Sequence, residues 1–158
     1  MTEAFVSVVT PVYNDDPYLE ECIRSVLAQS HQDFEYIICN NHSTDESASI
    51  ARRFADLDSR IRVVSPPTFL PQVMNFNFAL RETSKESVYT KIVFADDWMF
   101  PQCLEEMVRV AEQRASIAMV SSYRLVGTKG EGFGDFCHRL GEVQAREMVG
   151  GALVLSHA

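Results

Sequence analysis

Two adjacent carboxylates, Asp96 and Asp97, follow directly on the apolar run Lys91–Ala95. Acids at the end of a buried strand are poor core material, yet their oxygens suit a hard divalent cation. In an α/β sheet, that edge is also where ligands gather. Two other segments carry complementary groups. Thr10-Pro11-Val12-Tyr13-Asn14 offers a hydroxyl, an aromatic ring and an amide. Asn40-Asn41-His42-Ser43-Thr44-Asp45 offers two amides, two hydroxyls and an acid. Taken alone, Asp96-Asp97 would serve equally well as a local cap, because aspartate favours such positions.

The elements around these residues must bring them together. Phe5–Val9 is a short apolar run closed by Thr10-Pro11 and reads as a buried strand. Tyr18, Leu19, Cys22, Ile23, Val26 and Leu27 recur at helical spacing. Tyr36–Cys39 is a second strand. Ser43 and Glu46 then have capping-box spacing, which predicts a helix from there to about Phe54. Ile61–Val64 is a third strand, closed by Ser65-Pro66-Pro67. A helix over 72–81 places Val73, Phe76 and Leu80 on one face. Lys91–Ala95 is the fourth strand. Pro101 fits the first turn of a helix burying Leu104, Met107, Val108 and Ala111. Ile117–Ser122 is a fifth strand. Residues 127–141 are rich in glycine and charge and read as a mobile loop, and Met148–Leu155 is a last apolar run.

Strands apolar on both faces, alternating with helices, predict an α/β fold: a doubly wound, mainly parallel sheet. In that architecture the loops after strands one, two and four converge. A nucleotide base would stack on Tyr13 and bond to Asn41, with its diphosphate beside a metal at Asp97. The turn after strand one contains no glycine, and no P-loop is present, which argues against a dinucleotide fold or a nucleotide triphosphatase.

With 158 residues, the chain is long enough for one domain with a sizeable core. A formal charge of −8 argues against nucleic acid as a partner. The cysteines, Cys22, Cys39, Cys103 and Cys137, form no C-x-x-C pair; the first three lie in or beside apolar patterns and read as buried thiols. His31 and His138 have no acid or cysteine at ligand spacing, and His42 reads as a solvated turn residue. No basic leader and no membrane-length apolar run is visible, so the expected location is cytoplasmic, including the inner face of the membrane through a partner.

The runs Val-Ser-Val-Val-Thr-Pro-Val-Tyr-Asn (6–14), Asn-Asn-His-Ser-Thr-Asp (40–45) and Ala-Asp-Asp-Trp (95–98), in this order, resemble the inverting family 2 glycosyltransferases of the GT-A fold. The resemblance covers roughly residues 4–126. It implies a sugar-nucleotide donor, with a uridine nucleotide as the family-level expectation, and a glycan or lipid-linked acceptor. It also implies Mn²⁺ or Mg²⁺ as cofactor and a role in polysaccharide biosynthesis. By position, Thr10, Pro11, Tyr13, Asn41, Asn75 and Asp96 would contact the nucleotide. Asp97 is the first choice as metal ligand, with Asp96 on ribose or metal. Asn40 and Asn41 stand where the family usually has aspartates, Met74 where it often has arginine, and Phe94 where it has the first acid of its D-x-D-D motif. These departures bear on nucleotide identity more than on fold.

The family's catalytic base is an acid farther downstream, in the acceptor half. The late acids Asp135, Glu142 and Glu147 have no recognisable context, and the base is not found in this chain. The expected organisation is one GT-A domain over 1–158. Residues 1–126 form its nucleotide-binding half and 127–158 a loop and the start of the acceptor half of a longer transferase. An incomplete sheet would leave an edge open to pairing with a second copy. The alternative reading is a non-catalytic sugar-nucleotide-binding or assembly module, motivated by the missing base and by Phe94.

Overall fold

The computed structural model describes residues 4–120 and the strand Leu153–Leu155. The elements, in order, are β1 (Val6–Val12), α1 (Asp16–Leu27), β2 (Phe34–Asn40), α2 (Ser47–Ala55), β3 (Ile61–Val64) and α3 (Gln72–Arg81). They continue with β4 (Tyr89–Ile92), α4 (Cys103–Ala111), β5 (Met119–Val120) and β6 (Leu153–Leu155). The sheet order is β3-β2-β1-β4-β6-β5. The first four strands are mutually parallel, as the alternation with helices requires. β6 runs antiparallel between β4 and β5.

β1 is the axis of this sheet. It pairs with β2 on one edge and β4 on the other, and all seven of its residues are buried. One face of the sheet carries the larger core: Val6, Val8, Tyr36 and Ile38 pack with Leu19, Ile23 and Val26 of α1, Phe54 of α2, and Leu104 and Met107 of α4. The other face is covered by α3, where Val9, Ile37 and Cys39 meet Ala79. Both faces of β1 are therefore dry, which is why an alternating pattern is absent there.

Several boundaries differ from the sequence reading. β1 runs on through Thr10-Pro11 to Val12, because Pro11 is tolerated where its missing N–H is not needed. β4 stops at Ile92, after which Val93 N–H still donates to Val9 O at 2.9 Å. α2 begins at Ser47 rather than at a Ser43–Glu46 capping box. Ser43 Oγ instead accepts the Asn14 N–H at 3.1 Å, and Asp45 Oδ1 accepts the Ser47 N–H at 3.0 Å. The helix start is thus tied into the neighbouring loop. On α3 the buried residues are Asn75 and Ala79, whereas Val73 is exposed. That helix meets the sheet along a narrow seam next to the ligand edge, so its apolar stripe does not mark its inner face. Pro101 lies in a turn before α4, and α4 buries Leu104, Met107, Val108 and Ala111. Cys22, Cys39 and Cys103 are buried free thiols. The loop read over 127–141, most of the run 148–155 and Cys137 lie outside the described residues.

Leu19 is fully buried between α1 and the sheet. Leu19→Ala should lower the unfolding free energy by about 3 kcal/mol, measured by urea titration with an unchanged slope.

Candidate functional site

From β1 the strands build outward through β2 to β3 on one edge, and the chain then crosses back to lay β4 on the other edge of β1. The crossovers reverse direction between these two strands, which opens a crevice at their C-terminal ends. An open groove of about 500 Å³ lies there. Pro11, Val12, Tyr13 and Asp15 line it from the β1 side, Asn41 from β2, and Phe94, Ala95 and Asp96 from β4. A fourth wall comes from the β3–α3 loop and α3: Phe69, Leu70, Gln72, Asn75 and Phe76.

The first turn is held by its neighbour. Asn14 adopts left-handed backbone geometry (φ 56°), which asparagine tolerates, and its Oδ1 accepts the Thr44 N–H at 2.8 Å. His42 does the same (φ 59°) and shares a hydrogen bond of 2.9 Å with Pro66 O. It is an exposed turn residue, and it anchors the β3–α3 loop. Tyr13 is left nearly half exposed (47%), with its ring edge-on to Phe69 at 5.0 Å between centroids. An exposed aromatic ring held by a tight turn is a ready stacking surface for a planar ligand.

Of the residues expected at the nucleotide, Pro11, Tyr13, Asn41, Asn75 and Asp96 line this one groove. Thr10 does not. It is fully buried beneath the floor, and its hydroxyl shares a 2.9 Å hydrogen bond with Tyr36 Oη. Thr10 shares the face of Val6 and Val8, beneath the groove and toward Tyr36, whereas Pro11 and Val12 lie at the strand's end and reach the groove. Asn41 also has a different task from the open acceptor expected of it. Its Nδ2 donates to Leu70 O at 2.8 Å and its Oδ1 accepts the Leu70 N–H at 2.9 Å. The amide clamps the loop that carries Phe69. Asparagine suits this double bond, because a carboxylate has no hydrogen to give to Leu70 O. Asn75 is buried and accepts the Cys39 thiol through Oδ1 at 3.3 Å. Asn40 caps its own turn, with Oδ1 accepting the Ser43 N–H at 3.2 Å.

The two acids of the β4 turn face different surroundings. Asp96 is exposed on the groove wall. Asp97 is half-buried; its N–H closes the turn on Phe94 O at 3.0 Å. Burial pushes the Lys91 ammonium below its ordinary value, and the nearby Cys103 and Asp97 charges oppose that shift. Asp97 is thus the more buried of the two, and Asp96 stands on the outer, groove side. Phe94 lines the groove and pairs with Phe76 at 5.5 Å between centroids, forming an aromatic wall.

Asp15 was not singled out from the sequence, and neither was Phe69. Burial raises the Asp15 pKa; the Tyr13 N–H, donating to its Oδ2 at 3.2 Å, opposes this, and the charges of Asp96 and Asp45 add to the rise. Asp15 stands beside the N-terminus of a helix, where an acid is usually counted as a cap. Phe69 sits among Pro66, Pro67 and Pro71, and an aromatic in such a stiff loop was the available signal.

Residues 7–135 match the sequence profile of the family described as Glycosyl transferase family 2. Glycosyltransferase GlyA of Streptococcus pneumoniae serotype 4 is 30% identical over 129 residues, which are 79% of this chain and 18% of GlyA. Among solved structures, S. aureus TarS 1-349 in complex with UDP superposes with a TM-score of 0.67 at 23% identity, covering 80% of this chain and 37% of that one. Mannosyltransferase PcManGT from Pyrobaculum calidifontis, in complex with GDP-Man and Mn²⁺, gives 0.69 at 23% identity, covering 76% and 35%. The chain thus spans a fifth to two-fifths of the length of these proteins, and the structural likeness establishes the GT-A fold.

A carboxyl whose pKa is higher in the folded than in the unfolded chain makes the folded state less stable once it ionises. Asp15→Asn should therefore be more stable than the parent at neutral pH. The difference should shrink as the pH falls from neutral through the raised titration of Asp15 into the ordinary aspartate range. Urea midpoints of both proteins across that window check the sign; a difference that grows toward acid would refute it.

Proposed function

The chain belongs to glycosyl transferase family 2, and from that premise we propose that its groove holds the nucleoside diphosphate of a sugar-nucleotide donor. The supporting observation is the convergence on one groove of an exposed, anchored ring at Tyr13 and an exposed carboxylate at Asp96. These are complementary ends for a ligand with a planar base and a charged diphosphate. The base stacks on Tyr13, with Phe69 bracing that ring from its edge. Asn75 and Asp96 lie farther along, where ribose and diphosphate would pass.

The donor set fits a divalent cation. Asp96 and Asp97 offer hard carboxylate oxygens, and the like charge of Asp15 across the groove makes an acidic mouth that disfavours a bare diphosphate. Mn²⁺ or Mg²⁺ held by Asp96 and Asp97 would neutralise the leaving diphosphate. The protein's own part is placement: the β1 turn orients the base, the Asn41 clamp holds the loop behind it, and the β4 turn presents the acids. We assign the whole protein transfer of a sugar to an acceptor hydroxyl with inversion. The acceptor, a glycan or lipid-linked sugar, and the base that activates it belong to a region beyond the described residues, where Asp135, Glu142 and Glu147 also lie. A second reading, a binding module without turnover, draws on Phe94 in place of an acid. Transfer activity by a longer form of the protein would eliminate it.

Calorimetric titration with UDP, GDP, dTDP and CDP, each with and without Mn²⁺, should show one nucleotide bound in a metal-dependent way. Asp96→Ala and Asp97→Ala should each remove the metal-dependent part. Tyr13→Ala should weaken binding with and without metal by roughly tenfold to a hundredfold, the range for losing one base–aromatic stack. Binding that is indifferent to Mn²⁺ and to both aspartates would overturn the metal assignment.

A further inference from the structure

We propose that Cys22, Ser25 and Gln29 are positioning residues: a polar stripe along α1 and just past its end that suspends the Asp96-Asp97 turn at the groove. The inference rests on reading that turn as the diphosphate end of a donor site.

Between Ile92, where β4 ends, and Cys103, where α4 begins, the chain has no repeating hydrogen-bond ladder. Buried main-chain groups in such a segment must find other partners. Here helix α1 supplies them in sequence order. Cys22 Sγ donates to Phe94 O at 3.4 Å. Ser25 Oγ accepts the Met99 N–H at 3.1 Å and donates to Cys22 O at 2.8 Å. Gln29 Nε2 donates to Phe100 O at 2.8 Å, and Gln29 Oε1 accepts the Leu104 N–H at 2.9 Å. Ser30 N–H continues the series to Pro101 O at 2.7 Å. The side chains at 22, 25 and 29 are spaced by three and four residues, which puts them in one row along a helix.

All three are nearly inaccessible: Cys22 and Gln29 are 1% exposed and Ser25 4%. Burying polar atoms is unfavourable unless they are bonded, and apolar residues would fill the same space at less risk to stability. What apolar residues could not do is fix the main chain of an irregular segment. Each residue of the stripe bonds at least one main-chain atom within 94–104, and Cys22 addresses Phe94 O, the atom that also closes the Asp97 turn. Gln29 Nε2 and Ser25 Oγ also bond back to α1, at Ser25 O and Cys22 O. Behind Cys22, the Tyr36 hydroxyl lies 3.7 Å from Sγ and is itself bonded to Thr10. The turn is therefore referenced, through one row of side chains, to β1 and β2 on the opposite wall of the groove. Burial pushes the Cys22 thiol up to about 12, which keeps it a neutral S–H donor. Two carboxylates that must meet a diphosphate and a cation tolerate little displacement, and these residues set their position without touching the ligand.

The test compares the 158-residue chain with Ser25→Ala, Ser25→Thr and Gln29→Met. Amide exchange reads the turn directly, and titration with whichever of UDP, GDP, dTDP and CDP the parent binds, with and without Mn²⁺, reads its consequence. In Ser25→Ala the Met99 amide should exchange about tenfold faster, the size expected for one lost hydrogen bond, with the Val8–Thr10 amides unchanged. Its Mn²⁺-dependent affinity should fall by a similar factor while metal-free affinity stays. Ser25→Thr, which keeps the hydroxyl, should restore both. Gln29→Met should act in the same way at the Leu104 amide, and it provides the test if Ser25→Ala does not fold. Unchanged exchange at 99 and 104, equal acceleration throughout β1, or faster exchange with unaltered metal-dependent binding would each overturn the proposal. A parent chain that binds none of the four nucleotides would count against the donor-site reading, and exchange would still decide whether α1 holds the turn.

Discussion

Everything in this domain is referenced to β1, a strand with neighbours on both edges and packed layers on both faces. Such a strand tolerates no slip of register, because a shift by one residue would exchange every buried side chain between two different cores. Its C-terminal end is therefore a fixed point. Tyr13, Asn14 and Asp15 emerge from it, and the ends of β2 and β4 are in step with it by hydrogen bonding. The groove is the outer face of that arrangement. Its geometry follows from where three parallel strands stop.

The groove combines stiffness with a poor electrostatic balance, and both bear on function. Its walls are bonded to one another at Asn14–Thr44, His42–Pro66 and Asn41–Leu70, so that the aromatic rings of Tyr13 and Phe69 remain in place although half exposed. Preorganisation of that kind reduces what a ligand must spend on ordering its site. The carboxylates, in contrast, lie near one another: burial raises the proton affinity of Asp15, and the charges of Asp96 and Asp45 add to that rise. A site that stores repulsion between acids is suited to a positive ion arriving with its ligand. Two uncharged residues temper this balance. Asn41 acts as a two-way amide clamp on Leu70, and Phe94 makes an aromatic contact with Phe76.

Much of the fold was legible because burial on both strand faces and helical periodicity act over several residues at once. β3 and α3 have the bounds that the apolar runs and prolines indicate, and the inner face of α4 is the predicted one. Legibility was lost where a local signal competed with a distant partner. The Ser43–Glu46 spacing is a sound capping signal, yet Ser43 is taken by Asn14, twenty-nine residues away. The apolar residues of α3 form a stripe, yet the helix meets β1 and β2 along a narrow seam, and Asn75 and Ala79 face inward instead. Ser25 and Gln29 carry no apolar signal of their own; they are buried, and their hydrogen bonds serve an irregular segment elsewhere.

The sequence by itself determined which groups are available and in what order: a ring and amides after the first strand, amides and hydroxyls after the second, two acids after the fourth. It also determined the layered α/β architecture, since propensity and pattern are short-range properties of the chain. Only the tertiary structure decided how those groups divide the work. Thr10 faces the core because a strand alternates, Asn41 pins a loop because Leu70 lies beside it, and Asp96 stands exposed on the groove wall while Asp97 is half-buried. A side chain's role is set by its hydrogen-bond partner, here at 2.8 to 3.1 Å and 29 to 74 residues away, a separation that no local pattern encodes.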